Sequence, residues 1–512
     1  MSTEDRAKAP LLGIDLGTSN SVAAYLERSG VPTSLINFEG DVLTPSKLLI
    51  EDRSVAVGRE AVKAAHAHAE HFAESFKRYM GEKKYPHPVA GQTWRPEVLS
   101  AMVLRRIRQD AERRLGAIGG AVITVPAFFD ESRRRATLAA AEIAGCTVLD
   151  LINEPTAAAI AYAHRSGTLG TAAQVEHVLV FDLGGGTLDV TILRVVPGKE
   201  YRTVATDGEV QLGGVDWDHR LRDLLAKQFL AQTGHDPLKS AQGQVDFLQL
   251  AERAKTGLSS KETVRVPCAF GGRRAVLTVT RAEFEDLTAD LLDRARTAME
   301  LVREQAGLAW PQIDRVLLCG GSTRMPMVQR MLRETTGKEP DGSLSVDEAV
   351  AQGAAIYAAL RQSAEVRVVN VNSHSYRIRA TRSDGTRVAH PLIEKNTPLP
   401  ARAKNVFRTN SPDQDSCSIA IYDGESTDLE LCTKIGQVTV RDLASDANKC
   451  WLVQVVLTCL ENGKLEVVAT IHDPDSPGPP LRRARATLES ARGMTSEQIA
   501  EARTMLEAMT IS

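Results

Sequence analysis

The chain has 512 residues, of which 43% are hydrophobic and 25% are charged, and its formal net charge is −3. This length predicts about three domains, and the apolar content is enough for packed cores, which excludes a disordered chain. The near-neutral charge provides no general basic field for nucleic acid or for an anionic membrane, so neither is expected as a partner.

Several features predict a cytoplasmic location. The seven cysteines form no CxxC pair, which indicates reduced thiols in a reducing compartment. The first ten residues, MSTEDRAKAP, contain acidic side chains and do not have the pattern of a signal peptide. No run of apolar residues is long enough to predict a transmembrane helix.

Residues 10–363 alternate strand and helix patterns, which predicts an α/β domain. Short apolar runs end in glycine or proline turns: LLGIDLG, AVITVPA, HVLVFDLGGG and RVLLCGG. Helical patterns lie between them at 97–115, 132–144, 156–163 and 282–305.

The pattern changes after an interdomain linker at 364–371. Residues 372–473 contain alternating or apolar runs without a long helix, which predicts an all-β sandwich. A proline-rich break and a short helix follow at 474–512. Thr495 and Gln498 fit a capping box there, and Ile499, Ala502, Leu506 and Met509 share one helical face.

Two stretches, LLGIDLGTSN (11–20) and FDLGGGTLDV (181–190), form a weak internal repeat about one domain length apart. Each has an apolar strand, then Asp-Leu-Gly, then a hydroxyl residue. This repeat predicts a duplicated α/β domain in which each half offers one turn to a shared ligand.

These turns have the composition of a polyphosphate site. Glycine lets backbone N–H groups approach an anion closely, and neighbouring hydroxyls add donors. The preceding aspartate suits Mg²⁺, directly or through water. A single such turn is more often a tight hairpin, and the chain contains neither a Walker motif nor a GxGxxG before a helix. A third glycine turn, GGSTRMP (320–326), makes the combination much more specific.

The sequence resembles the heat-shock protein 70 (DnaK-type) chaperone family of the actin-like ATPase superfamily. The resemblance rests on motifs in the family's order, strong over about 10–362 and fainter to about 473: GIDLGTSNS, VITVPAFFDESRR, INEPTAAAIAYA, FDLGGGTLDVTIL, LGGVDWD, AERAKTGLSS and LCGGSTRMPMVQ. It implies a two-lobed, ribonuclease H-like ATPase domain, then a β-sandwich for substrate and a short C-terminal helix in place of a full lid.

The resemblance also implies roles for individual residues, with ATP or ADP and Mg²⁺ as cofactors. Asp15 and Asp182 would organise the metal through water, Lys77 would stabilise charge on the γ-phosphate, and Glu154 and Thr187 would complete the catalytic group. The phosphate-binding residues would be Gly17, Thr18, Ser19, Asn20, Gly184, Gly185 and Gly186. The nucleoside side would be formed by Glu252, Lys255, Ser259, Gly320, Gly321, Ser322 and Arg324.

Two further sets of residues match family positions outside the nucleotide site. Pro126 and Arg134 match a proline switch and its relay; otherwise they are a strand-ending proline and part of a solvated arginine run. Phe407, Cys417 and Ile419 match the walls of a peptide groove, although packing in the β-domain core explains them equally well.

Three departures limit the functional prediction. Arg367 interrupts the apolar linker, and burying it unpaired in a groove would be costly. Asp150 replaces an arginine that meets the aspartate of J-domain partners, which argues against a standard J-domain partner. The chain after Pro480 is too short for a full helical lid, so peptide binding is expected to be weak and release fast.

The sequence thus predicts an Mg²⁺-dependent ATP hydrolase that acts as a chaperone for unfolded or extended peptides, with a nucleotide exchange factor as a second partner. Two alternatives remain. One is a nucleotide-gated module that docks one specific protein. The other is a small-molecule kinase of the same superfamily, which the β domain disfavours.

Overall fold

The computed structural model describes residues 9–167, 174–196, 199–363, 366–382, 384–412, 414–443, 449–461, 464–476, 478–488 and 493–512. Two residues of the predicted linker, 364 and 365, and residue 477 of the proline-rich break lie outside these ranges. The chain divides into two compact units. The first comprises residues 1–128, 135–368 and 494–512, and the second comprises 129–134 and 369–493.

The strands of the first unit are β1 Leu11–Asp15, β2 Asn20–Leu26, β3 Pro32–Ser34, β4 Thr44–Pro45, β5 Lys47–Glu51, β6 Ser54–Val57, β7 Phe72–Glu74, β8 Gly120–Val125, β9 Val148–Asn153, β10 Glu176–Leu183, β11 Leu188–Val196, β12 Glu200–Glu209, β13 Thr263–Phe270, β14 Arg273–Thr280, β15 Arg315–Cys319 and β16 Arg367–Val369, whose last residue belongs to the second unit. The second unit contains β17 Tyr376–Thr381, β18 Arg387–Ile393, β19 Ala401–Arg408, β20 Cys417–Asp423, β21 Thr433–Val440, β22 Leu452–Cys459, β23 Leu465–His472 and β24 Arg482–Leu488. The last strand, β25 Thr510–Ile511, returns to the first unit.

The α-helices are α1 Arg59–Ala64, α2 Pro96–Leu115, α3 Glu131–Ile143, α4 Glu154–Arg165, α5 Gly214–Thr233, α6 Ala241–Leu258, α7 Arg281–Leu287, α8 Ala289–Gln305, α9 Pro326–Thr336, α10 Ala349–Ser363 and α11 Ser496–Glu507. In the part of the chain that the structure describes, no helix is long and apolar enough to cross a membrane.

The first unit contains two sheets with the same internal plan. One has the order β3-β2-β1-β8-β9, and the other has the order β15-β10-β11-β12-β16. In the first sheet, β1 pairs antiparallel with β2 and parallel with β8. In the second sheet, β10 pairs antiparallel with β11 and parallel with β15, and both β1 and β10 end near an aspartate. The strands β1 and β10 are therefore equivalent, as the internal repeat predicted.

Close helix packing fixes the position of α4 in the first unit. The helix is rich in alanine, and Gly353 of α10 lies so near it that an added Cβ would be 1.8 Å from the carbonyl oxygen of Ala157. Gly13 of β1 lies equally close to α10, because a Cβ added to it would be 2.2 Å from the amide nitrogen of Ala355. Only glycine allows these approaches, and the packing holds the first residue of α4, Glu154, in place.

The second unit is a sandwich of two four-stranded antiparallel sheets. Its last strand, β24, lies beyond residue 473, the predicted end of the β domain, because its pairing with β23 is not visible in the local sequence. The sheet orders are β18-β17-β20-β21 and β19-β22-β23-β24. Alternate side chains of both sheets form one apolar core, in which Trp451, Val455 and Ile421 are buried.

The linker continues into β16, the edge strand next to β12. Val366 and Val368 pack against a core cluster of the first unit, whereas the Arg367 side chain remains 72% exposed, 3.7 Å from Glu200. The predicted cost of burying this guanidinium does not arise because alternation along the strand turns it outwards.

The C-terminal helix lies in the first unit and not with the β-sandwich. Its capping box forms as predicted, since the Thr495 hydroxyl accepts a hydrogen bond from the backbone N–H of Gln498 at 3.3 Å. Ala502 and Leu506 of the predicted apolar face are buried. Strand β25 then pairs in parallel with β6 and extends the sheet β25-β6-β5-β7. The sequence predicted that residues 474–512 form a truncated lid, whereas the helix and β25 belong to the first unit.

Candidate functional site: a cleft between two glycine turns

A cavity of about 660 Å³ in the first unit is lined by all three glycine turns. The turn after β1 contributes Gly17 to Asn20, the turn after β10 contributes Gly184, Gly185 and Thr187, and the turn after β15 contributes Gly320 to Ser322 and Arg324. Because β1 and β10 occupy equivalent places in their sheets, their turns open towards the same space.

The first two turns touch each other. A Cβ added to Gly185 would lie 2.0 Å from the Ser19 hydroxyl oxygen, and one added to Gly186 would lie 2.5 Å from the methyl carbon of Thr18. Any larger residue at either position would force the turns apart. Gly186 is the one predicted phosphate-binding residue that does not line the cavity; it packs against Thr18 instead.

The third turn closes on the second through a specific hydrogen bond. The Ser322 hydroxyl donates to the carbonyl oxygen of Gly184 at 3.0 Å. Gly320 has φ +77°, and an added Cβ would lie 2.4 Å from the carbonyl oxygen of Leu183. This position therefore needs glycine both for its backbone conformation and for space.

Four charged side chains lie together at the base of the cavity: Asp15, Lys77, Glu154 and Asp182. The Lys77 ammonium donates to Glu154 Oε1 at 2.8 Å, and the Thr124 hydroxyl donates to Asp15 Oδ1 at 2.9 Å. Lys77, Glu154 and Asp182 are only 5%, 6% and 8% exposed. Burying so many charges is costly unless they are compensated, which marks the cluster as a functional candidate.

The pKa shifts of these groups follow from burial and crowding of like charges. Burial, with a further contribution from Glu154, raises the pKa of Asp15 to about 7, although Lys77 and Thr124 oppose the rise. Burial, Glu154 and Asp189 raise the pKa of Asp182 well above its ordinary value. Burial alone would lower the pKa of Lys77, but the carboxylates of Glu154 and Asp15 raise it overall.

This donor set fits a hydrated divalent cation. Three carboxyl groups face one ammonium, so a cation would balance the excess negative charge and return the pKa values of Asp15 and Asp182 towards their ordinary range. In the described residues no group of three or more His, Cys, Asp or Glu side chains is arranged to hold a metal directly. A Mg²⁺ ion here would thus depend on water and ligand oxygens, and the metal-binding role of Asp15 and Asp182 stays a prediction.

One face of α6 forms another wall of the cavity. Glu252, Lys255 and Ser259 line it because residues three, four and seven positions apart lie on the same helix face. Lys255 is held by Asp218 Oδ2 at 2.8 Å and by the carbonyl oxygen of Gly214 at 2.9 Å. Glu252 accepts from Lys47 at 3.0 Å, and this ammonium lowers its pKa despite burial.

Sequence reasoning missed part of the lining, including Asp347, Val346, Val350 and Leu43. Asp347 is the most informative because it forms a two-point ion pair with Arg324, at 2.9 and 2.6 Å. No local motif marks Asp347. The acid-rich sequence SVDEA gave the only signal, and it equally suits a solvated loop.

The predicted coupling residues fall in different units. Pro126 is a buried residue of the first unit, directly after β8. Arg134 belongs to the second, where its Nε donates to the carbonyl oxygen of Phe129 at 3.2 Å. Their proposed switching role stays a prediction.

The predicted groove residues lie in or against the sandwich core. Ile419 is a buried member of the core cluster, and Phe407 and Cys417 pack against it partly buried. The ring of Phe407 also lies edge-on to His390, with 5.7 Å between centroids. These contacts give each side chain a packing role, and a peptide groove remains a prediction.

Asp150 has partners within the first unit. Its Oδ2 lies 2.7 Å from Nη1 of Arg361 and accepts a hydrogen bond from the Tyr357 hydroxyl at 3.0 Å. Its charge is therefore compensated locally by α10.

Comparison with known proteins identifies the family. The family model described as Hsp70 protein matches residues 11–90 and 85–508. The chain is 36% identical to the Chaperone protein DnaK of Thermus thermophilus, over 96% of this chain and 82% of that relative. It is 39% identical to the Chaperone protein DnaK of Halobacterium salinarum, over 82% of this chain and 66% of that relative. The chain belongs to the Hsp70 family.

Proposed function

We propose that this chain is an ATP-dependent chaperone that hydrolyses ATP with Mg²⁺ in the cleft of the first unit and binds extended peptides through the second. The observation that carries the proposal is the contact between the Gly17–Ser19 and Gly184–Gly186 turns above a buried carboxylate cluster. The relatives named Chaperone protein DnaK support it.

The opposed turns would hold the phosphates from both sides. Their backbone N–H groups, with the hydroxyls of Thr18, Ser19 and Thr187, are donors for phosphate oxygens. Asp15 and Asp182 would hold Mg²⁺ through water, and the metal would neutralise charge on the phosphates. The close approach at Gly185 is what allows both turns to reach one ligand.

Lys77 would supply positive charge at the reacting phosphate. Its ammonium is fixed by Glu154 at 2.8 Å and lies in the same buried cluster as both aspartates. A fixed charge in a site that excludes water needs little reorganisation when negative charge develops in the transition state. Glu154, at the start of α4, would position Lys77 and help to orient the attacking water.

The nucleoside would lie between α6 and the third turn. Glu252, Lys255 and Ser259 provide polar groups for a ribose, and Gly321 and Ser322 provide close backbone approach. Arg324 is oriented by its two-point pair with Asp347, which favours stacking of the guanidinium on an adenine ring.

Peptide binding by the second unit is proposed at Phe407, Cys417 and Ile419. The C-terminal helix belongs to the first unit, so we do not expect this helix to act as a lid that slows peptide release. A nucleotide exchange factor remains a proposed partner. Family membership and the names of the relatives favour this function over a module that docks one specific protein.

The test is the anisotropy of a labelled, leucine-rich unfolded peptide, with ADP and then with ATP and Mg²⁺. We expect weak binding in ADP and weaker binding in ATP, because coupling requires that nucleotide and peptide favour different states. Phosphate release is measured in parallel, with and without Mg²⁺. Intact ATP turnover without peptide binding in either state would refute the chaperone function while leaving the ATPase in place.

A further inference from the structure

The outer face of the sheet β19-β22-β23-β24 has an unusual charge distribution. Alternate residues of these strands, such as Val455 and Val467, point into the sandwich core. The residues between them point outwards, and β19 shows this alternation along its whole length. We refer to the outward side chains of the four strands as the basic face.

The cations of the basic face lie on its two edge strands. Arg402, Lys404 and Arg408 are on β19, and Arg483 and Arg485 are on β24. Glu466 is the one carboxylate among the described outward residues of these strands, and it pairs with Arg485 at 2.6 Å. The face thus carries a large local excess of positive charge, although the whole chain has a net charge of −3.

Four of these cations have no ion pair or side-chain hydrogen bond within the described residues: Arg402, Lys404, Arg408 and Arg483. Many other arginines of the chain have an acidic partner, as Arg361 and Arg324 do. Unpaired cations that repel one another over a small surface do not stabilise the fold, so binding an anionic partner is the better explanation for their position.

The outward side chains of the two central strands are mixed: three are aliphatic and five are polar or titratable, namely Leu452, Val456 and Val468, and Gln454, Thr458, Glu466, Thr470 and His472. The register places Val456 and Val468 between Lys404 and Arg485, and Gln454 and Thr470 between Val406 and Arg483. Val406 is 48% exposed, which is high for a valine in a strand. The face therefore combines a mixed centre, in which Val456 is only 9% exposed, with cations on each edge strand.

The spacing fits one extended acidic chain. Three strand spacings separate the two cation rows by about 14 Å, and long Lys and Arg side chains can lean inwards over the centre of the face. Along each edge strand, cations two residues apart are spaced by about 7 Å. Acidic side chains on alternate residues of an extended peptide repeat with the same spacing, and guanidinium groups bind carboxylates at two points.

We propose that the basic face binds an extended acidic segment of a partner protein, with carboxylates on the cation rows and aliphatic side chains against the exposed Val406 and the partly exposed Val468. Single-stranded nucleic acid fits less well, because its binding sites combine basic grooves with aromatic side chains that stack on bases. An anionic membrane fits less well too, because the described outward side chains include few apolar groups that could insert, and Leu452 is the largest of them. This surface is separate from the proposed groove and does not depend on ATP hydrolysis.

The experiment measures binding of a labelled peptide of alternating Glu and Val residues to the full chain. The double variant Lys404→Gln/Arg483→Gln is compared with Arg387→Gln/Arg441→Gln, which removes the same charge from exposed positions elsewhere in the second unit. We expect the first to weaken binding on the order of tenfold and the second to change it little. Raising the salt concentration should weaken binding of the parent.

Three controls can overturn the proposal. Equal binding of a Gln–Val peptide would show that charge is not recognised. Equal weakening by both double variants would place the site elsewhere. Tighter binding of an oligothymidylate or of phosphatidylserine vesicles would reject an acidic protein segment as the ligand. Thermal unfolding of each variant verifies that the sandwich is intact.

Discussion

Lys77 in the first unit and Arg377 in the second are both buried cations, but their surroundings differ. Arg377 donates to three backbone carbonyls, those of Ala389, Gly424 and Glu425, at 2.7 to 3.2 Å. Lys77 lies among three carboxyl groups beside a large cavity. A buried cation satisfied by carbonyls ties loops together, whereas one inside an excess of carboxylates that borders a cavity is prepared for a charged ligand.

The largest effect that separates these two roles is expected for Lys77→Ala. ATP turnover should fall on the order of a hundredfold to a thousandfold, because a fixed charge near the reacting phosphate is lost. Phosphate release under single-turnover conditions measures this. The matched control is Lys63→Ala, which removes an exposed lysine and should leave turnover unchanged.

Asp182→Asn tests the same site through the carboxylate that would hold the metal. Turnover should be lost while circular dichroism stays that of the parent. Unchanged turnover in either the Asp182 or the Lys77 variant would remove the basis for the proposed site.

Arg377→Met should lower the stability of the second unit and leave ATP turnover unchanged, the reverse of what is expected for the Lys77 and Asp182 variants. Three carbonyl groups would lose a buried donor, which costs about 3 kcal/mol or more of the stability of the second unit. Hydrogen exchange at the strand amides of the second unit, followed over a series of urea concentrations, measures the loss, and ATP turnover at low temperature should stay near that of the parent. A variant as stable as the parent would show that Arg377 does not hold these loops.

The comparison also shows what sequence alone could reveal. The glycine turns, Lys77 and Glu154 lie in motifs whose chemistry or family resemblance is visible locally, and the structure brings them to one cavity. Arg377 lies in SYRIRA, where nothing distinguishes a buried arginine from an exposed one. Its burial depends on carbonyls far along the chain.

The placement of the C-terminal segment was not predictable either, because it too depends on residues that are distant in the sequence. The capping box and the apolar face of α11 depend on neighbouring residues, and both were predicted. The partner of β25 is β6, which lies near the other end of the chain, and no local pattern specifies such a pairing. The pairing of Asp150 with Arg361 was missed likewise, since Arg361 comes from a distant helix.

Leu506→Ala tests the docking of the C-terminal segment. Leu506 is fully buried, so its truncation should cost about 2 to 3 kcal/mol of local stability. The measurement is hydrogen exchange at the Val57 amide, which donates to the carbonyl oxygen of Ser512 at 2.9 Å. Met505→Ala, at a 39% exposed neighbour, should leave this exchange near the parent rate. Unchanged protection in Leu506→Ala would mean that the segment does not dock through this face.

The smallest effect is expected at the exposed pair of Asp150 and Arg361. Asp150→Arg alone would restore the arginine found in the family, but its guanidinium would lie next to that of Arg361 and be repelled by it. The swapped variant Asp150→Arg/Arg361→Asp keeps the pair, and a double-mutant cycle on thermal stability should give a coupling free energy of about 0.2 to 1 kcal/mol.

If the reversed charge alone disfavours a J-domain partner, the swapped variant should show more J-domain stimulation of ATP turnover than either the parent or the single variant. An unstimulated swapped variant with normal coupling would show that more of this surface than one charge differs from the family.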